Sequence, residues 1–221
     1  MTLYGVGLGP GDAGLITVKG RETLERADVV YTPCRLSRGV ATEYVSEDQL
    51  GDLDFPMTRD EDELRRAWKA AASEVAPAAR EGTAAFVTLG DPNVYSTFGH
   101  LRRTLDRFHP EVDVAVIPGV STVTAFATAF DVEITAGSEL VLREAARGDA
   151  PVGPDRLVLF KVTDVPTTHR KLIGAGYHVP FRRRLSFAAP ASDITAPPDE
   201  PAERAYSSPA FAELPTPGGH P

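Results

Sequence analysis

The sequence has little of what disulfides, metal sites and nucleic-acid surfaces require. Its 221 residues include one cysteine, Cys34, which excludes an intrachain disulfide and a cysteine-based zinc site. The five histidines show no spacing typical of metal ligands. Only 23 lysines and arginines stand against 31 aspartates and glutamates, so the formal net charge is −8. A nucleic-acid-binding protein would carry a basic surface instead. We therefore expect neither a metal site nor a nucleic-acid partner.

Long apolar runs are also missing. No run approaches the ~20 residues that a membrane-spanning helix needs. The amino terminus, MTLYGVGLGPGD, lacks the basic segment that opens a signal peptide. Hydrophobic residues make up 42% of the chain, enough for a sizeable core. We expect a soluble, cytoplasmic protein without membrane partners, folded as one large or two small domains.

The first half of the chain alternates short apolar runs with segments of helical periodicity. The runs that predict strands are TLYGVGLG, DVVYTP, AAFVTL and VDVAVIP. Helical spacing covers residues 15–28, 60–76 and 98–108, and Asp60 starts the second of these as a capping residue would. Strands that alternate with helices predict an α/β fold with a parallel sheet covered on both faces.

After residue 130 the pattern continues less regularly. ELVLREA, RLVLFKV and HVPFRRRLSF resemble strands, and TTHRKLIGAGY predicts a short helix. We place a first α/β domain at 1–119, a smaller α/β domain at 120–188 and a proline-rich, loosely ordered tail at 189–221. Within the tail, RAYSSPAF is a candidate edge strand, since an edge tolerates Pro209.

Three strands run into short loops rich in glycine and proline. These loops are GLGPGD at 7–12, LGDPN at 89–93 and IPGVST at 117–122. In a parallel sheet the carboxyl ends of the strands lie along one edge, where ligands bind. Because the loops carry few bulky side chains, a ligand could approach their backbone closely. Together they predict a binding site at this edge.

Each loop also has a purely structural interpretation. A G-x-G-x-x-G register in the first loop places Pro10 or Asp12 at the third glycine, and no G-K-[ST] follows. Neither a dinucleotide fingerprint nor a P-loop is therefore indicated. Asp91-Pro92 is ordinary turn chemistry, and the hydroxyl residues after the second and third loops can cap helices. The functional alternative is that Asp91 and nearby backbone amides hold a polar ligand.

In this order, the motifs resemble those of the tetrapyrrole methylase family, which uses S-adenosylmethionine. The resemblance covers about residues 2–189. YGVGLGPGDAGLITVKGRETLERADVVYTP matches the family's opening segment, LGDPNVYSTF and IPGVSTVTA its second and third loops, and RLVLFKV a central strand of its second domain. It implies two α/β domains, usually in a homodimer, with the methyl donor in the cleft between them.

The form G-D-P-x-x-Y-S-T-F is similar to the branch of the family that methylates carbon 20 of precorrin-2 or of cobalt-factor II in cobalamin biosynthesis. The resemblance thus implies methyl transfer from S-adenosylmethionine to a ring carbon of a tetrapyrrole. Alternatives are a family enzyme acting on another corrin carbon or on a non-tetrapyrrole substrate such as diphthamide or ribosomal RNA. From a different class, a nucleotide-binding regulatory module would use the same loops without transfer chemistry.

Carried over by position, the resemblance implies candidate site residues. The donor contacts would be Pro10, Gly90, Asp91, Val94, Ser121, Thr122 and Phe160. A proton must leave the methylated carbon, and the candidate catalytic residues beside the donor loop are Asp91 and Tyr95, with His100 also near in sequence. The substrate carries several carboxylates while the protein is acidic, so local cations must bind it. The candidates for that role are Arg35, Arg38 and Arg183.

Overall fold

The computed structural model describes residues 2–56, 58, 60–129, 131–145, 153–162, 164–179, 181–182, 193–194 and 208–213. By its internal contacts the chain divides into two compact units, Met1–Thr122 and Val123–Pro221.

The first unit is built on a parallel sheet. Its described elements are β1 (Thr2–Gly7), α1 (Val18–Glu25), β2 (Val29–Thr32), α2 (Arg35–Ala41), β3 (Leu50–Asp52), α3 (Glu61–Glu81), β4 (Thr83–Thr88), α4 (Phe98–Phe108) and β5 (Asp113–Ile117). Short 3-10 helices at Ala13–Leu15 and Glu47–Gln49 precede α1 and β3. The strand order is β3-β2-β4-β1-β5, and all four neighbouring pairs are parallel. The predicted α/β class is confirmed, whereas β3 and α2 were not predicted.

Helices cover both faces of this sheet, as the alternation of elements predicted. On one face Leu3 and Phe86 pack against α3 and α4, and on the other Val6 and Val87 pack against α1 and α2. These four side chains are fully buried. Successive strand residues point to opposite faces, so each strand contributes to both layers of the core.

Helix α3 is longer than its predicted span of 60–76. The Asp60 side chain accepts hydrogen bonds from the backbone N–H groups of Asp62 and Glu63, at 2.9 and 3.1 Å, and starts the helix as predicted. Pro77 usually marks a helix end because it lacks an N–H. Here the helix continues to Glu81, since Ala79 in the last turn is fully buried against the core. Burial of this last turn offsets the hydrogen bond that Pro77 removes.

A close contact between β1 and α4 explains one of the glycines. A Cβ placed on Gly5 would lie 2.3 Å from Cζ of Phe98, whose ring is buried in the core. Only a residue without a side chain leaves room for this ring beside the central strand. The last residue of YSTF is therefore a core residue.

We expect Gly5→Ala to destabilise the first unit by about 1–3 kcal/mol, because the added methyl group must displace Phe98. Gly39→Ala is the matched control. Gly39 lies within α2, and a Cβ there would meet no described atom within 4 Å. That change should leave stability unchanged or raise it by about 0.5–1 kcal/mol. Urea unfolding of both variants measures the difference, and equal stabilities would contradict the packing argument.

The second unit contains a mixed sheet. Its described elements are α5 (Thr122–Ala129), which begins at the last residue of the first unit, β6 (Val141–Glu144), β7 (Arg156–Val162), α6 (Val165–Gly174), β8 (Phe181–Arg182), β9 (Asp193–Ile194) and β10 (Ser208–Glu213). The strand order is β6-β7-β10-β8-β9. Strands β6 and β7 are parallel, and the other neighbouring pairs are antiparallel. The strands predicted in ELVLREA and RLVLFKV and the helix predicted in TTHRKLIGAGY are confirmed.

RAYSSPAF overlaps a strand as predicted, but the predicted edge position is wrong. Strand β10 covers 208–213 and lies between β7 and β8, inside the sheet. Pro209 cannot donate to a strand ladder. The pairing with β7 shifts register between Ser208 and Ala210, so an irregularity falls at the residue that lacks an N–H. This bulge lets a proline occupy an interior strand.

A buried tyrosine closes one end of the second unit. Tyr177, which follows α6, is 3% exposed. Its hydroxyl accepts a hydrogen bond from the Gly153 N–H at 2.9 Å and donates one to the Pro154 carbonyl at 2.7 Å. The contact fixes the segment that leads into β7.

We expect Tyr177→Phe to destabilise the second unit by about 0.5–1.5 kcal/mol, because the Gly153 N–H and the Pro154 carbonyl lose their shared partner. Thr168→Val is the control, since the buried Thr168 hydroxyl has no hydrogen-bond partner among the described residues. That change should be neutral or stabilising. Thermal unfolding of both variants provides the measurement. A control as destabilised as Tyr177→Phe would show that packing, and not the hydroxyl, dominates.

Candidate functional site

The three glycine-containing loops lie side by side. Loops 89–93, 7–12 and 117–122 follow β4, β1 and β5, which are adjacent in the sheet in that order. Because all three strands are parallel, the loops leave the same edge. The prediction that they share one sheet edge is confirmed, and the first loop is the central one.

The first two loops are joined backbone to backbone. The Gly90 N–H donates to the Gly9 carbonyl at 2.6 Å, and the Leu8 N–H donates to the Thr88 carbonyl at 2.9 Å. Gly9 and Gly90 have φ angles of 77° and 72°, which residues with a Cβ rarely adopt. The sheet pairing therefore extends past the strand ends, and glycine is needed on both sides.

The third loop approaches as closely. A Cβ on Gly119 would lie 2.3 Å from the Gly90 carbonyl oxygen and 2.8 Å from Cα of Gly7. A Cβ on Gly7 would lie 2.6 Å from the same oxygen. Gly7, Gly90 and Gly119, one from each loop, thus form a contact that we call the glycine junction. The junction is made of main-chain atoms, so carbonyl and N–H groups are the candidate contacts for a ligand there.

Asp91 braces the second loop against the third. One carboxylate oxygen accepts a hydrogen bond from the Asn93 N–H at 2.8 Å, and the other accepts one from the Gly119 N–H at 3.1 Å. The first bond is local turn chemistry. The second joins residues far apart in sequence and places the negative charge of Asp91 beside the glycine junction.

Thr17, which caps α1 just after the first loop and was not predicted as a site residue, makes a similar contact with the third loop. The Thr17 hydroxyl accepts from the Gly20 N–H at 3.0 Å, which caps α1, and lies 3.4 Å from the Pro118 carbonyl oxygen as a donor. The cap could be read from the sequence, because threonine precedes the helix. The contact with Pro118 depends on β5 being the neighbour of β1, which no local pattern indicates.

Within the segment YSTF, Ser96 makes structural hydrogen bonds and Tyr95 is exposed. The Ser96 hydroxyl donates to the Thr88 hydroxyl and accepts from the Phe98 N–H, both at 3.1 Å, so it fixes the end of β4 against the start of α4. Tyr95 has a φ of 48°, in the left-handed region, and its side chain is 41% exposed. Of the two candidate catalytic residues, Asp91 thus accepts hydrogen bonds from main-chain amides. Tyr95 is exposed and has an unfavourable backbone conformation.

Five of the other candidate contacts for the methyl donor belong to the first unit, and one belongs to the second. Pro10 and Gly90 are buried within their loops, and Val94, Ser121 and Thr122 are half-buried. A Cβ on Gly90 would lie 3.3 Å from Cγ2 of Thr122, so the second loop touches the start of α5. Phe160 belongs to β7 of the second unit, where it is 8% exposed and its carbonyl accepts from the Ala145 N–H.

The candidate substrate-binding arginines differ in their surroundings. Arg38 forms ion pairs with Glu47 and with Asp52, the latter at 3.0 Å. A hydrogen bond from Thr32, together with the Arg38 pair, holds the pKa of Asp52 below its usual range. Arg35, the exposed first residue of α2, forms no ion pair within the described residues. Arg183 lies outside the described residues.

His100 lies in the first turn of α4 and stacks on Trp68, with ring centroids 4.9 Å apart.

Among the residues that the structure describes, no group of three histidine, cysteine, aspartate or glutamate side chains is placed to hold a metal ion. The described helices include none that is both long and apolar enough to cross a membrane.

The fold and the loops together define an α/β protein with a main-chain-lined site at the carboxyl edge of a parallel sheet. Residues 2–181 match the sequence model of the Tetrapyrrole (Corrin/Porphyrin) Methylases. The chain belongs to this family.

Three relatives of known name have sequence identities of about 30% to this chain. The chain is 32% identical over 143 residues to a probable cobalt-precorrin-2 C(20)-methyltransferase of Methanocaldococcus jannaschii, covering 62% of this chain and 60% of that protein. It is 29% identical to the cobalt-precorrin-2 C(20)-methyltransferase of Salmonella typhimurium, with 72% of each chain covered. It is 32% identical to a cobalt-precorrin-4 C(11)-methyltransferase of Priestia megaterium, covering 69% of this chain and 56% of that protein. The matched region thus spans less than two thirds of two of these relatives.

Solved structures share the fold. The cobalamin synthesis related protein CobF of Corynebacterium diphtheriae has a TM-score of 0.75 at 17% identity, and the match covers 96% of this chain and 98% of that one. A uroporphyrin-III C-methyltransferase of Thermus thermophilus, complexed with S-adenosylhomocysteine, has a TM-score of 0.68 at 20% identity and covers 96% and 92%. At these identities the likeness establishes the fold alone.

We expect Asp91→Ala to loosen the glycine junction without unfolding the protein. The Gly119 N–H loses a charged acceptor, so its amide exchange should accelerate by about tenfold to a hundredfold. Asp106→Ala, a change of an exposed acid on α4, is the control and should leave exchange at Gly119 unchanged. Hydrogen exchange followed by NMR resolves the single amide. Unchanged protection in Asp91→Ala would contradict the bracing role.

Proposed function

We propose that this chain is an S-adenosylmethionine-dependent C-methyltransferase that methylates carbon 20 of precorrin-2 or cobalt-factor II in cobalamin biosynthesis. The observation that carries the proposal is the glycine junction, three loops of a family member joined through main-chain contacts at the carboxyl edge of adjacent strands. The names of the Methanocaldococcus and Salmonella relatives support carbon 20 as the position.

The residues at the junction fit a methyl donor of this kind. A Cβ at Gly7 or Gly119 would overlap the backbone of a neighbouring loop, so glycine at both positions lets the three loops meet. Pro10, Gly90, Asp91 and Val94 from the first two loops would hold the donor, together with Ser121 and Thr122 from the third. Phe160 is the candidate contact from the second unit. When bound, S-adenosylmethionine supplies an electrophilic methyl group on a positively charged sulfur.

The chain's own contribution is mainly positioning. Orientation of two reactants can lower a barrier by about 7–11 kcal/mol, which suits an electron-rich ring carbon that needs little activation. The brace from Asp91 to Gly119 fixes two loops relative to each other, and the Thr17 contact at Pro118 adds a second tie. A third contact, the hydrogen bond from Ser96 to Thr88, fixes the segment before α4 to the end of β4.

Proton removal and substrate binding require side chains as well as main-chain groups. Tyr95 lies beside the second loop and is 41% exposed, and we assign its hydroxyl the role of accepting or relaying the proton that leaves carbon 20. Asp91 remains the second candidate catalytic residue. The ion pairs of Arg38 offset its charge, which favours Arg35 as the cation for a substrate carboxylate in the first unit. Arg183 is the candidate from the second.

The main alternative is methylation of another corrin carbon. The Priestia relative, named for carbon 11 of cobalt-precorrin-4, supports it. We further propose that the protein acts in the cytoplasm as a homodimer, without nucleic-acid or membrane partners. A nucleotide-binding module without transfer activity would leave S-adenosylhomocysteine unbound and bind ATP or NAD instead.

We expect the wild-type protein to bind S-adenosylhomocysteine, and Asp91→Ala to bind it at least about tenfold more weakly, because the loops that hold it are no longer braced. Asp106→Ala should bind like the wild type. Isothermal titration measures all three proteins. Binding of ATP or NAD without S-adenosylhomocysteine would overturn the methyltransferase proposal, while normal binding by Asp91→Ala would refute only the role of that residue.

The position of methylation needs a separate experiment. We expect incubation with S-adenosylmethionine and either precorrin-2 or cobalt-factor II to add one methyl group at carbon 20. Mass spectrometry counts the methyl groups and NMR locates them. Comparison of the two substrates shows whether the ring already contains cobalt. A methyl group at carbon 11 or at any other position would reject the carbon-20 assignment and retain the enzyme class.

A further inference from the structure

A polar cavity lies along α1, and none of its lining residues belongs to the three loops. Its volume is about 280 Å³, and its lining comes from β1, from α1 and the residue that ends it, and from the start of β4. The lining residues are Tyr4, Lys19, Thr23, Arg26 and Thr83. None of them belongs to the loops at 7–12, 89–93 or 117–122.

Sequence spacing and strand register account for this cavity. Lys19, Thr23 and Arg26 follow one another at four and three residues, so they share one face of α1. Tyr4 pairs with Ala85 in β4 and with Ala115 in β5. Both neighbours have only methyl side chains, which leaves space on either side of the tyrosine ring.

The lining is cationic in an acidic protein. The chain has a net charge of −8, yet the cavity lining contains Lys19 and Arg26 and no carboxylate. Neither cation takes part in an ion pair among the described residues. The Arg26 Nε donates to the Glu22 carbonyl at 2.9 Å, so its terminal N–H groups remain for a ligand. Of the nearby acids, Glu25 pairs with Arg21 and Asp28 accepts from the Thr83 N–H.

Hydroxyl groups complete the polar lining. The Thr23 hydroxyl donates to the Lys19 carbonyl at 2.7 Å, which fixes its orientation in α1. The hydroxyls of Tyr4 and Thr83 can donate to an anionic oxygen, as the lysine and arginine can. Seven residues along a helix correspond to about 10 Å, so Lys19 and Arg26 lie at opposite ends of the cavity.

We infer that this cavity binds a small molecule with anionic groups at both ends, such as a pyrophosphate or a short dicarboxylate. One end pairs with Lys19 and the other with Arg26, through charge-assisted hydrogen bonds. The Thr83 hydroxyl contacts the middle of the ligand. This site makes no use of the glycine junction and stands whether or not the proposed methyltransferase activity is correct.

The test uses the full chain at low ionic strength, with inorganic pyrophosphate and succinate as separate probes. We expect wild type to bind at least one of them, and Lys19→Gln/Arg26→Gln to bind it about tenfold or more weakly, because both charged ends are lost. Arg102→Gln/Arg103→Gln is the matched control, since it removes two exposed cations of the same unit. Isothermal titration gives the affinities, and whichever probe binds identifies the anionic group.

Localisation and independence are checked on the same samples. Bound probe should shift the amide signals of residues 19, 23 and 83 in NMR spectra, and Thr83→Leu should weaken binding by filling the cavity. S-adenosylhomocysteine affinity should be equal in wild type and in the Lys19/Arg26 variant, which separates this site from the loops. No binding of either probe overturns the inference. So does equal weakening by the Arg102/Arg103 control, which would indicate a general charge effect.

Discussion

Contact between main-chain atoms at the glycine junction is the constraint on which the first unit's site depends. Gly7 and Gly119 lie so close to neighbouring loops that a methyl group on either would overlap backbone, and Gly90 has a φ of 72° that disfavours any side chain. Backbone cannot rotate away as a side chain can, so the loops must keep this spacing or separate. The order β4-β1-β5 brings the three glycines together, and the hydrogen bonds of Asp91 hold them there.

Much of this arrangement follows from the sequence. The strand runs, the helix beginning at Asp60 and the shared edge of the three loops were all predicted from periodicity and turn residues. A site built from loop backbone at a sheet edge has a strong sequence signal, because glycine and proline mark the turns. The matched sequence model covers residues 2–181, a range that includes all three loops.

The remaining features depend on contacts that no local pattern records. The Thr17 contact at Pro118 and the Gly5 space for Phe98 both join residues that are distant in the chain. The interior position of β10 was missed because Pro209 argues for an edge, and only the register shift beside it removes the conflict. Helix α3 passes Pro77 for a similar reason, since burial of its last turn outweighs local preference.

The interior position of β10 has a consequence for the order of folding during synthesis. Every described strand of the first unit has been translated by residue 117, so its sheet can close while the ribosome still adds residues. In the second unit β7 and β8 meet only through β10, at residues 208–213. Until that segment emerges, β7 carries an unpaired edge that can attract other chains. The nascent second unit is thus the stretch where chaperone protection matters most.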